Sequence, residues 1–147
     1  MKEKELKWGM VPEGWALCFN QNCPLRESCL RYQAGRLAPE EVTITRCVTP
    51  RAVTDGPCAY FASMELQTMA YGFSTIYERV LKKDFTIMRK AMTNHLSGKR
   101  YYYEYMRGER ALSPEQQEWI RSLFAEHGYA DCVAFDRYEP SFCFPWV

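Results

Sequence analysis

A mainly α-helical, compact domain with a cysteine-rich N-terminal loop region, a minor β element and a helix-turn-helix-like segment is the fold this sequence predicts. Three observations carry it. Apolar residues from Leu66 to Phe124 recur at three- and four-residue spacing, the mark of helix faces turned toward a core. Five of the seven cysteines and most of the turn-forming residues precede residue 60, where loops and short elements are expected. The 147 residues suffice for one domain with its own hydrophobic core, and 47% hydrophobic with 25% charged residues is a globular composition.

The elements follow in order. Pro24 to Ala34 suits a short helix carrying Cys29, with Pro in its first turn and Gly35 as a left-handed stop. Val42 to Val48 alternates and is rich in β-branched residues, a strand ended by Thr49-Pro50, with Val133 to Phe135 as the other part of the β element. After the turn signal Asp55-Gly56-Pro57, the residues Leu66, Met69, Ala70, Phe73, Ile76, Tyr77, Val80 and Leu81 predict one face of a long helix, close-packed at Gly72. Asp84 is placed to cap the next helix, whose Phe85, Met88, Ala91, Met92 and Leu96 share a face. Ser97-Gly98 turns the chain into a short helix from Lys99, with Tyr102, Tyr105 and Met106 inward. Ser113-Pro114-Glu115-Gln116 is a capping box that opens a last helix, with Trp119, Ile120, Leu123 and Phe124 inward and Gly128 as its stop. The apolar tail to Val147 is expected to pack on the body. The organisation is thus a single domain over 1–147: a cysteine-bearing region over 1–60, a helical body over 61–129 and a packed tail over 130–147.

Charge narrows the function classes. The net charge is +1, yet Glu78 to Arg110 carries +5 and the remainder −4, a local basic field on an acidic body that would steer a polyanion to one face. The N-terminus lacks the apolar run of a secretory signal, and no segment approaches the ~20 apolar residues of a membrane span, so a cytoplasmic protein without a membrane partner is expected. No phosphate-cradling glycine loop, His-x-x-x-His pair or Gly-x-Ser-x-Gly elbow is present, and His95 and His127 lie in no nucleophile signature. A non-enzymatic protein is the expectation.

Two constellations remain. On the short helix, Lys99, Arg100, Tyr103 and Arg107 fall on or beside the outer face, where they would meet guanine edges or phosphates, with Lys82, Lys83, Arg89 and Lys90 as phosphate contacts. The run from Leu96 through Arg107-Gly108-Glu109-Arg110 and Leu112-Ser113-Pro114-Glu115 resembles the recognition helix and following helix of Cro/repressor-type DNA-binding domains, though the turn glycine, Gly98, comes later than in that family. That resemblance implies a transcription-regulator-like protein bound to double-stranded DNA. The competing class is a protein-interaction or structural module whose aromatic surface meets a protein partner.

The second constellation is Cys18, Cys23 and Cys29, grouped closely, with Cys58 after Gly56-Pro57: four thiolates able to converge on one ion or cluster. Cys47 is the substitute fourth ligand, and Cys132 and Cys143 read as core residues. Zinc and an iron–sulfur cluster are the two candidate cofactors; reduced, buried cysteines acting as small hydrophobes are the metal-free alternative. Cys18-x4-Cys23-Pro24-x4-Cys29-Leu30-Arg31-Tyr32, Gly56-Pro57-Cys58-Ala59-Tyr60-Phe61 and the stretch Tyr102 to Gln117 also resemble a group of small proteins of gut Bacteroidetes known as a domain of unknown function. The resemblance spans most of the chain and implies a shared fold without an established activity.

Overall fold

The computed structural model of the chain describes residues 4–53 and 58–145. The expected turn at Asp55-Gly56-Pro57 and the end of the tail, Trp146 and Val147, lie outside the described residues. The chain forms two compact units, one running to Leu66 and including the segment from Phe142, the other Gln67–Ser141.

The first unit is built from short pieces. Strand β1, Leu17–Cys18, pairs in parallel with β2, Cys47–Val48, in the register Leu17 to Cys47 and Cys18 to Val48. Helix α1 spans Leu30–Leu37, after a 3-10 turn at Arg26–Ser28. It starts later than the sequence suggests because the backbone before it is engaged elsewhere: Cys29 bridges Ser63, and the Leu30 N–H donates to the Ala62 carbonyl at 2.6 Å. Gly35 lies inside α1 and does not end it. A Cβ there would stand 2.5 Å from the Cys18 carbonyl oxygen, so glycine lets the helix press directly on β1. Leu6, Trp15, Leu17, Leu30, Ala34, Ala62 and Phe142 form the core of this unit. Trp15 meets Phe144 edge to face at 4.9 Å, and its indole N–H donates to the Pro145 carbonyl at 2.8 Å. The expected strand over Val42 to Val48 shrinks to its last two residues, and Ile44 is 92% exposed; alternation without a buried face does not hold a strand.

In the second unit, β3, Gln67–Tyr71, pairs antiparallel with β4, Arg137–Ser141, from Gln67 opposite Ser141 to Tyr71 opposite Arg137. Across that last pair, the Arg137 guanidinium covers the Tyr71 ring at 4.1 Å. Three helices follow β3: α2, Lys82–His95; α3, Lys99–Met106; and α4, Pro114–Glu126. Asp84 lies in the first turn of α2 and does not cap it; its carboxylate accepts from the Tyr129 hydroxyl at 2.5 Å. The capping box of α4 is formed in full, Ser113 Oγ accepting from the Gln116 N–H and the Gln116 side chain from the Ser113 N–H. Met88, Met92, Leu96, Tyr102, Tyr105, Ile120 and Phe124 pack with Ala70, Phe73 and Ile76 in one core.

The mainly α-helical expectation is overturned: 40% of the structure is helical and 12% strand, a mixed α/β domain. The error is concentrated at Leu66 to Leu81. Its apolar spacing is real, but the residues occupy β3 and a series of turns, from which Phe73 and Ile76 still reach the core. Gly72 ends the strand at φ +80°, a conformation that breaks a helix, and the Asp136 N–H donates to its carbonyl at 2.9 Å. The β element is likewise relocated: Val133 to Phe135 precede β4 rather than pairing with the region of Val42 to Val48. Among the described residues, no helix is long and apolar enough to cross a membrane.

Candidate functional site

In the first unit, the turn after β1, the 3-10 turn, the start of α1 and the segment at Cys58 surround one small cavity of about 20 Å³, room for little more than a water molecule, which opens to solvent. Cys18, Cys23, Cys29 and Cys58 all line it. Cys23 and Cys29 are buried, Cys18 and Cys58 half-buried, and none is in a disulfide. As placed, no three His, Cys, Asp or Glu side chains among the described residues form a set that holds a metal ion. The thiols therefore share the walls of a cavity without meeting at a point. Burial pushes the Cys18 thiol above its ordinary value, opposed by a hydrogen bond from the Asn20 backbone and reinforced by the neighbouring Cys29, Cys23 and Cys58. Cys47, exposed in β2, is not among the lining residues, whereas Val48 and Thr49 beside it are. Cys132 packs half-buried against the core of the second unit.

Arg31 also lines the cavity and is 1% exposed. Its Nε donates to the Tyr60 carbonyl at 2.7 Å, one terminal nitrogen to Ala16 at 2.7 Å and the other to Pro145 at 3.1 Å. The guanidinium lies 4.4 Å over the Trp15 ring. Desolvation lowers its pKa, and the nearby Cys29 and Cys58 oppose that shift. Sequence reasoning did not single it out, yet the signal was present: in α1, Arg31 falls on the same helical face as Leu30 and Ala34.

The residues expected to contact DNA all lie in the second unit. Lys82, Lys83 and Lys90 are exposed on α2, and Lys99 and Arg100 at the start of α3, with Arg107 just past its end. Tyr103 and Arg89 turn toward each other: the half-buried Tyr103 hydroxyl accepts from the Arg89 guanidinium, which also covers the Tyr102 ring at 5.9 Å. Glu104 receives Arg100 at 3.4 Å and Arg110 at 3.1 Å, and Glu109 receives Arg107 at 2.8 Å. Carboxylates thus face the guanidinium groups that phosphate would need. His95 stacks on Trp119 with ring centres 3.7 Å apart and planes within 1°.

No curated protein and no solved structure matches the chain. A family model described as "Family of unknown function (DUF6078)" matches residues 1–144, and the chain belongs to that family.

Proposed function

We propose that the first unit is a metal-binding module in which Cys18, Cys23, Cys29 and Cys58 ligate one thiophilic centre, zinc or an iron–sulfur cluster. The observation that carries this reading is that the four thiols, drawn from three separate stretches of chain, line a single cavity. Thiolates are soft ligands that select these two occupants. Zinc would require the sulfurs to draw in to a common tetrahedron with Zn–S bonds of ~2.3 Å. A cluster takes its four cysteines from more widely spaced wall positions.

The energetics point the same way. The strands of this unit are two residues long, α1 has eight residues, and the core cluster is small. Units that bury so little commonly take stability from a metal, and structural zinc in small domains contributes on the order of 10 kcal/mol at neutral pH. The test is reconstitution of the metal-free chain with zinc, and separately with iron and sulfide under anaerobic conditions, followed by chemical unfolding. Uptake of one centre with a raised unfolding midpoint, lost in Cys23→Ser, is expected. Equal midpoints with and without either metal would contradict the reading.

Binding of double-stranded DNA by the second unit is the other reading. Lys82, Lys83, Lys90 and Lys99, exposed on α2 and at the start of α3 around the turn at Ser97 and Gly98, favour it. Anisotropy of labelled duplex across a salt series tests it; steep weakening with salt, abolished in Lys99→Glu/Arg100→Glu, is its signature. Absence of binding at low salt leaves a protein-interaction role for that unit.

A further inference from the structure

Among the described residues, no carboxylate pairs with the charge on Arg31. A guanidinium is always protonated in proteins, so this side chain carries a full positive charge at 1% exposure. Its three hydrogen-bond partners are neutral carbonyls, and its stacking partner is the Trp15 ring. Among the described residues, the ion pairs found engage other arginines and none engages Arg31. Carbonyl dipoles and an indole face stabilise such a cation but do not neutralise it, and a buried charge without a countercharge is costly. The other arginine on the cavity wall, Arg26, differs: it is partly exposed and has Glu27 at 3.7 Å.

Resting on the metal-centre reading, we propose that Arg31 is the built-in countercharge of a dianionic tetrathiolate centre. Four thiolates around Zn²⁺ carry a net charge of about −2, and so do four thiolates around a [4Fe–4S]²⁺ core. Either complex in this cavity turns the buried cation from a liability into an attraction. Arg31 therefore acts as a positioning residue: it favours the charged, metal-loaded state without being a ligand, and its carbonyl bonds fix Ala16, Tyr60 and Pro145 around the site.

The experiment compares the full-length wild type with Arg31→Gln, which is neutral but can still donate hydrogen bonds, and Arg31→Lys, which keeps the charge. Zinc affinity is read by competition with a chromophoric chelator, and unfolding of the metal-free forms is read in parallel. Outer-shell partners of metal sites typically contribute roughly 10- to 100-fold in affinity. The expected result is a loss of that size in Arg31→Gln and near-wild-type affinity in Arg31→Lys, although lysine loses the forked hydrogen bonds. Equal loss in both variants, or no loss in either, overturns the countercharge role and leaves the wild-type metal site standing. If the Gln variant folds only poorly, zinc-dependent folding of the Lys variant carries the test: folding there supports the proposal, and failure of both assigns Arg31 to hydrogen bonding alone. A wild type that takes up neither zinc nor an iron–sulfur cluster fails the metal-centre reading itself, and the proposal with it.

Discussion

Replacing Gly35 by alanine sets two effects of opposite sign against each other. Alanine is the better helix former, worth about 0.5–1 kcal/mol at an interior position such as this one in α1. Against it stands a Cβ 2.5 Å from the Cys18 carbonyl oxygen and 3.3 Å from the Phe19 ring. The ring can turn, but the oxygen belongs to a strand paired to Cys47–Val48 and cannot withdraw without disturbing that pairing. Overpacking of this kind costs about 1–3 kcal/mol, so the net effect is a destabilisation of up to about 2 kcal/mol. The displaced strand carries Cys18, one wall of the thiol cavity, so zinc affinity falls as well. Urea unfolding and chelator competition measure both effects, with Arg36→Ala, at the next and exposed position of the helix, as the control. A Gly35→Ala protein that gains stability and binds zinc like wild type would show that α1 does not press on β1 and refute the packing argument.

Three further outcomes follow from the second unit. Gly72→Ala combines φ +80° with a Cβ 2.4 Å from the Asp136 carboxylate, which accepts hydrogen bonds from Ser74; a loss of at least ~1–2 kcal/mol in denaturant unfolding is expected, and a neutral result would remove the corner at the end of β3. Gln117 is buried and donates to the Thr68 and Leu112 carbonyls at 3.0 Å each, so Gln117→Leu should cost about 1 kcal/mol by removing both bonds, the Leu112 carbonyl keeping the Ala70 N–H at 3.0 Å, whereas unchanged stability would mean that water replaces the amide. Burial against its surroundings holds the His95 imidazole below its ordinary value of 6.5, partly offset by Glu115. Because the folded state then takes up its proton later than the unfolded state, the contribution is fully present above pH 6.5 and declines as the pH falls below it. An NMR titration should place His95 below its value in the unfolded chain, and a midpoint at or above that value would reject the assignment.

What was legible in the sequence is what local chemistry decides. The capping box at Ser113 and Gln116, the stop at Gly128 and the inward faces of α2 and α4 all depend on residues within a few positions of each other. The β3–β4 ribbon was not legible, because the partner that satisfies the backbone of Gln67 to Tyr71 lies at Arg137 to Ser141. Before that pairing is known, the apolar spacing of Met69, Ala70, Phe73 and Ile76 is as compatible with a helix as with a strand and its following turns. Gly35 was misread for a related reason: its value is set by the Cys18 carbonyl across the helix, not by its neighbours in the chain. The four candidate thiols were named from their chemistry and line one cavity, while Arg31 on the same wall was passed over because a single arginine among apolar residues was not weighed as a buried charge.

The central claim is that four cysteine thiolates of the first unit hold a metal centre. Elemental analysis of zinc and iron in the wild-type chain purified without air, beside a variant with Cys18, Cys23, Cys29 and Cys58 all changed to serine, tests it most directly. The account predicts one zinc or one iron–sulfur cluster per wild-type chain and none in the variant. Wild-type protein that holds neither metal, even after reconstitution, and whose four thiols titrate freely would contradict it.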